Sequence, residues 1–196
     1  MSRRIVVVGT SGSGKTTFAL ELAGRLGLPH VELDALHHGP NWYQPSAHEF
    51  RATIEDELFS LDGWVCCGAY HHKLGELVPS RADTLVWLDL PLGVKLWRLL
   101  RRTLSRLVYR TELWQGNRES LRGAFWGRES LFGWMLTRHF EDARTKHWLR
   151  HPNAVRLRSS RQVRRWLEAQ GPSPARLARP GASLAKEASA RPEDST

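Results

Sequence analysis

Arg4-Ile5-Val6-Val7-Val8-Gly9-Thr10-Ser11-Gly12-Ser13-Gly14-Lys15-Thr16-Thr17 is the stretch whose reading decides the fold. It opens on four consecutive β-branched apolar residues, the pattern of a parallel strand buried on both faces. Gly9 to Thr16 then satisfies G-x-x-x-x-G-K-[ST] at every required position. Glycines at 9, 12 and 14 permit a tight loop whose backbone N–H groups converge on phosphate oxygens. Thr10, Ser11 and Ser13 complete that loop, and Thr17 continues it into a helix whose positive dipole end faces the same anion. Lys15 brings charge to the β- and γ-phosphates of ATP, and the Thr16 hydroxyl is a ligand for Mg²⁺.

Outward from this stretch, strands and helices alternate. Phe18, Leu22 and Leu26 recur at four-residue steps and mark a helix over Gly14–Leu26, ended by Gly27 and Pro29. His30–Leu33 reads as a second strand and Ala35–Pro45 as a loop. Ser46, with Glu49 three residues on, forms a capping box for a helix running to about Leu61. Trp64–Cys67 and Thr84–Leu88 read as the third and fourth strands, with a short helical piece near Leu74–Val78 between them. Pro91 suits the first turn of a long helix opening near Leu92. Ser130–Leu149 reads as helix and Ala154–Leu157 as a fifth strand; Ser159 and Ser160 cap a last helix to about Ala169. The order predicts an α/β fold: three layers, α/β/α, around a five-stranded parallel sheet in residues 1–170. A basic, aromatic stretch over about 104–128 reads as a lid-like insertion. Residues 171–196 lack apolar periodicity and read as a disordered tail.

Charge is concentrated along the chain. Of the formal surplus of +9, Lys95–Arg128 holds nine basic side chains against Glu112 and Glu119. That surplus favours an anion site, either nucleotide phosphates or a nucleic-acid backbone, over a merely solvated helix face. No apolar run nears the roughly 20 residues that cross a bilayer. Only four apolar residues separate Arg4 from Gly9, too few for a secretory signal, so a cytoplasmic location without a membrane partner is expected. Cys66 and Cys67 are adjacent, face opposite ways on a strand, and cannot form a disulfide framework.

Ligands of open α/β sheets bind at the carboxyl ends of the strands. Asp34, Cys67-Gly68 and Asp89 fall at that edge. The segment Asp89–Arg102, D-L-P-L-G-V-K-L-W-R-L-L-R-R, resembles the adenylate kinase-like families, in which D-x-P opens a helix bearing two arginines four residues apart. The resemblance implies that Arg98 lies against the adenine ring and Arg102 contacts phosphate. Guanidinium groups suit both tasks, since they stack on aromatic rings and grip phosphate in bidentate fashion. V-V-V-G-T-S-G-S-G-K-T-T, E-L-D-A-L and W-V-x-x-G-x-Y together resemble the small adenylate kinase-like proteins labelled DNA topology modulation protein, over residues 4–167. A nucleoside-monophosphate-kinase-like P-loop NTPase fold and nucleotide-dependent phosphoryl transfer are what this resemblance implies.

One departure stands out. Such proteins place D-G-N-Y after the third strand, and here the residues are Cys67-Gly68-Ala69-Tyr70. A thiol is a poor ligand for a hard cation, so either Asp34, the preferred acid, or Asp89 supplies the carboxylate near Mg²⁺, or metal-dependent turnover is weakened. Asp34 could equally take the proton of an acceptor hydroxyl as general base. Lys15, Arg102 and the lid arginines Arg122 and Arg128 would neutralise charge on the transferred phosphoryl group. The leading expectation is an ATP-dependent kinase acting on a small molecule, such as a nucleotide. The alternatives are a nucleotide-gated nucleic-acid-binding protein and a non-catalytic nucleotide-binding regulator. An N/T-K-x-D guanine motif is absent, because Thr145-Lys146 is followed by His147-Trp148.

Overall fold

In the computed structural model, residues 3–68, 70–109 and 131–171 are described. Five parallel strands form one sheet in the order β2-β3-β1-β4-β5: β1 Arg4–Val8, β2 His30–Glu32, β3 Trp64–Cys67, β4 Thr84–Leu88 and β5 Ala154–Leu157. Every pairing is parallel, with Val7 beside Cys67 and Val86, and Glu32 beside Cys67. β1 sits at the centre because its Ile5–Val8 run has no polar face to offer water; all four residues are buried.

Alternation along the strands divides the core into two layers. Val6, Val8, Cys66, Trp64 and Trp87 pack with Phe50, Ile54 and Leu58 on one face of the sheet. Ile5, Val7, Val65, Cys67, Val86 and Leu88 pack with Phe18, Leu22 and Leu167 on the other. The helices supplying these contacts are α1 Lys15–Leu26, α3 Ala47–Glu57 and α7 Ser160–Glu168. The capping box of α3 is present: Ser46 Oγ accepts from Glu49 N–H, and the Glu49 carboxylate accepts from Ser46 N–H at 2.8 Å.

Several expected boundaries move. β2 stops at Glu32, and the expected loop over Ala35–Pro45 instead holds a short helix α2, Leu33–His37, and a 3-10 turn at Pro40–Trp42. Leu33, Ala35 and His37 are buried, so core contacts draw the first residues of the expected loop into a short helix that ends before Gly39 and Pro40. α3 ends at Glu57 because Phe59 and Leu61 turn back onto the core. The short helix α4 spans His71–Leu74, ahead of its expected place, and Gly75 at φ 58° stops it. The long helix α5 covers Leu92–Val108, so the first residues of the expected lid-like stretch continue a helix. α6 runs Leu131–Thr145, and Lys146 at φ 48° separates it from a 3-10 turn at His147–Arg150. The rest of the lid-like stretch and the tail beyond Gly171 lie outside the described residues. Among the described residues, no helix is long and apolar enough to cross a membrane.

Phe50 joins core to site: it is fully buried and meets His37 and Tyr70 edge-on at centroid distances of 4.9 and 5.2 Å. Phe50→Ala is expected to cost about 3–5 kcal/mol of unfolding free energy, from lost transfer energy plus a cavity. Urea denaturation measures it, and a loss under about 1 kcal/mol would show that the core collapses around the gap.

Candidate active site

The loop between β1 and α1 has the geometry its glycines predict. Gly9, Gly12 and Gly14 adopt φ of 145°, 78° and 90°. Gly12 is the most constrained: a Cβ there would collide with the Lys95 carbonyl oxygen of α5 and lie 3.3 Å from Leu99 Cβ. Gly14 is the N-cap of α1 and no side chain caps that helix, which leaves its first-turn N–H groups to an anion. Thr10 Oγ1 and Ser13 Oγ are buried without a hydrogen-bond partner among the described residues. Buried hydroxyls are normally satisfied, so these two suit an oxygen-rich ligand. Lys15 Nζ reaches back to Thr10 O at 3.4 Å, and Ser11 and Thr17 lie on the same segment with Thr17 exposed.

Acids and hydroxyls meet at the ends of β2 and β3. Thr16 Oγ1 donates to Glu32 Oε1 at 2.8 Å, and the Cys67 thiol approaches Thr16 Oγ1 at 3.9 Å and His30 Nε2 at 3.5 Å. Burial, with Glu32 and then Asp34 adding to it, pushes the Cys67 thiol up to about 12, against a smaller opposing effect of Lys15. Cys67 is thus a neutral thiol, and the charges of Glu32, Asp34 and Lys15 all reach one point at the strand edge. Burial pulls His30 down to about 4, so its imidazole is neutral there too.

Asp34, the first residue past Leu33 in α2, accepts from the Tyr70 hydroxyl at 2.7 Å. Tyr70 holds φ 40° at the N-cap of α4, a left-handed conformation costly for a bulky residue. Burial, then Asp34, raises its pKa far above the usual range, so the phenol stays a donor. His38 Nε2 lies 3.4 Å from the same oxygen, and the His37 ring lies 4.3 Å from the Tyr70 ring. Burial first, then Lys73 and neighbouring imidazoles, lowers His37 to about 3.

Asp89 ends β4 and is engaged elsewhere: Arg156 grips its Oδ2 from Nε at 2.9 Å and Nη2 at 2.6 Å while stacking over Trp87 at 4.6 Å. Arg98 lies beside the loop, donating to Ser13 O at 3.4 Å and to Ser160 Oγ at 3.1 Å. Arg102 follows one turn later on α5 and is exposed. Arg122 and Arg128 lie outside the described residues. Glu32 is the acid that the sequence reading passed over. Its signal was an acidic residue closing a short strand two positions before Asp34, and its register with Cys67 is visible only in the fold.

Strand order, parallel pairing and the glycine loop define a three-layer α/β/α P-loop NTPase fold. Among solved structures, a gluconokinase from Sinorhizobium meliloti 1021 is similar at 23% identity and a TM-score of 0.50, covering 86% of this chain and 93% of that one. An unliganded sugar kinase from Janibacter sp. HTCC2649 is similar at 19% identity and a TM-score of 0.48, covering 86% of this chain and 94% of that one. No protein-family model and no curated protein matches the chain.

The donor set near Thr16 is one of hard oxygens, a hydroxyl and a carboxylate, which suits Mg²⁺. Glu32→Gln is expected to raise the Mg²⁺ concentration needed for ATP binding several-fold without loss of fold. Asp89→Asn should lower the melting temperature, because Arg156 loses its counter-ion, and leave the Mg²⁺ titration in place. The opposite pattern in the two titrations would move the metal-supporting acid to Asp89.

Proposed function

We propose that the protein is an ATP-dependent kinase that transfers the γ-phosphoryl group to a hydroxyl of a small-molecule acceptor. One observation carries this reading: the phosphate-binding loop reaches Cys67 at the end of β3 through Thr16, and a tyrosine-held aspartate follows β2, the strand paired to β3. Backbone N–H groups of Gly9–Thr16 and the Lys15 ammonium bind the polyphosphate, and Arg98, which donates to Ser13 O beside the loop, would lie against the base as the resemblance implies. Thr16 and Glu32 would hold Mg²⁺, with Asp34 close by; the ion supplies charge neutralisation on the β- and γ-phosphates. Asp34 takes the proton of the acceptor hydroxyl while the acceptor oxygen bonds to the γ-phosphorus. The bond from that phosphorus to the β–γ bridging oxygen breaks, and ADP leaves. Tyr70 orients Asp34, and Arg102 with the lid arginines Arg122 and Arg128 balances the charge of the moving phosphoryl group.

The resemblance to proteins labelled DNA topology modulation protein, with the basic surplus over Lys95–Arg128, supports a second reading in which nucleic acid is bound. Steep weakening of DNA binding with salt would favour it.

A screen of sugars, sugar acids, nucleosides and nucleoside monophosphates with γ-labelled ATP and Mg²⁺ tests the first reading. Label should move to one acceptor class, Lys15→Ala should abolish both ATP binding and transfer, and Asp34→Asn should cut transfer by about 100-fold or more while ATP still binds. Transfer that survives in a folded Lys15→Ala variant, or an Asp34→Asn variant as fast as wild type, would sink the assignment.

A further inference from the structure

Lys95 is a buried cation that the mechanism above leaves unused. It lies on α5 with 1% of its surface exposed, and its Nζ sits 2.7 Å from His139 Nδ1 on α6. Lysines are almost never buried this fully unless paired, since taking an ammonium out of water is costly. Burial, then the Lys95 charge, holds His139 below its usual range against the opposite pull of Asp89. Its ring is neutral near pH 7, and Nδ1 accepts from the Lys95 ammonium.

The charged groups facing that ammonium come from every element around it. Asp89 at the end of β4 and Asp142 on α6 favour the charged form; Lys15 at the start of α1 opposes it; burial opposes it most and lowers the pKa below the ordinary lysine value. Neither acid is a dedicated counter-ion. Arg156 already grips Asp89, and burial pushes Asp142 up to about 6. Meanwhile the backbone carbonyl of the same residue presses on Gly12 of the phosphate loop. Lys95 therefore touches the loop through its main chain and adds a second positive charge close enough to Lys15 to be felt. The buried Lys95 and the half-buried Lys15, neither of them in an ion pair among the described residues, make a field suited to a multivalent anion.

We propose that Lys95 is a positioning residue of the phosphate site: with its ammonium held by His139, it completes with Lys15 the positive field that a bound polyphosphate needs, and ties α6 to the loop. The proposal rests on the nucleotide-binding reading above. Linkage then requires that polyphosphate binding and protonation of Lys95 favour each other. The sign follows directly. The free protein holds Lys95 at a lowered pKa and the anion raises it, so affinity is full below the free-state value. It falls as pH rises from that value towards the bound-state one.

The test is calorimetric binding of Mg-ATP and of inorganic triphosphate from pH 6.5 to 10, on wild type, Lys95→Met, Lys95→Arg and Lys15→Ala, with melting temperatures for each. Methionine keeps the volume and removes the charge, and it leaves the neutral His139 Nδ1 without its donor. Lys95→Met is expected to stay folded with a melting temperature somewhat below wild type, to bind both probes about tenfold more weakly at pH 7, and to lose the alkaline fall in affinity. Lys95→Arg should bind as wild type at pH 7 and keep that affinity at high pH, because guanidinium stays charged. A folded Lys95→Met protein with wild-type affinity and an unchanged pH profile overturns the proposal, while Lys15→Ala losing affinity in the same series leaves the nucleotide reading standing. A wild type that binds neither probe overturns both. If Lys95→Arg does not fold, the affinity and pH profile of Lys95→Met decide alone.

Discussion

The close approach of the Lys95 carbonyl to Gly12 is the constraint on which the rest of the site depends. It leaves no room for a β-carbon, so the loop presents only backbone on that side. With glycines in left-handed or otherwise unusual conformations at 9, 12 and 14, the chain can wrap an anion with N–H groups rather than side chains. The strand before the loop has to be rigid for this to work, and β1 supplies that rigidity as the fully buried centre of a parallel sheet. α5 is pinned in turn by Leu99, which is fully buried, and its arginines then follow one turn apart along the helix towards solvent.

Carboxylates are distributed by function around this loop. Glu32 hydrogen-bonds the Thr16 hydroxyl, Asp34 receives the Tyr70 proton, and Asp89 holds Arg156 against Trp87. Three acids at the ends of two strands, β2 and β4, would repel one another if all were left bare. A hydroxyl, a phenol and a guanidinium each take one, and the neutral thiol of Cys67 lies where a fourth carboxylate would add to the repulsion. With Glu32 paired in register to Cys67, an aspartate at 67 would set two carboxylates side by side on adjacent strands, a repulsion that the neutral thiol avoids.

Residues whose meaning lies in local sequence were legible before any coordinates. The β-branched run at Ile5–Val8, the glycine spacing and the capping box at Ser46 and Glu49 act over a few residues, and each takes the form expected. Where local signals competed with burial, burial decided. Leu33, Ala35 and His37 drew an expected loop into a helix, and Gly75 cut a helix that the spacing of Leu74 and Val78 had placed one turn later.

Sequence by itself determined the phosphate loop, the alternation of strands and helices, and the carboxyl edge as the place where Asp34, Cys67 and Asp89 fall, because those follow from backbone geometry and periodicity along one segment. Only the tertiary structure decided which acid faces Thr16, what holds Asp34, and that Lys95 and His139 meet. Glu32 and Thr16 are 16 residues apart, Asp34 and Tyr70 36, and Lys95 and His139 44. Contacts over such separations are set by strand order and helix packing, which place side chains from distant segments within hydrogen-bond reach, and no local pattern encodes them.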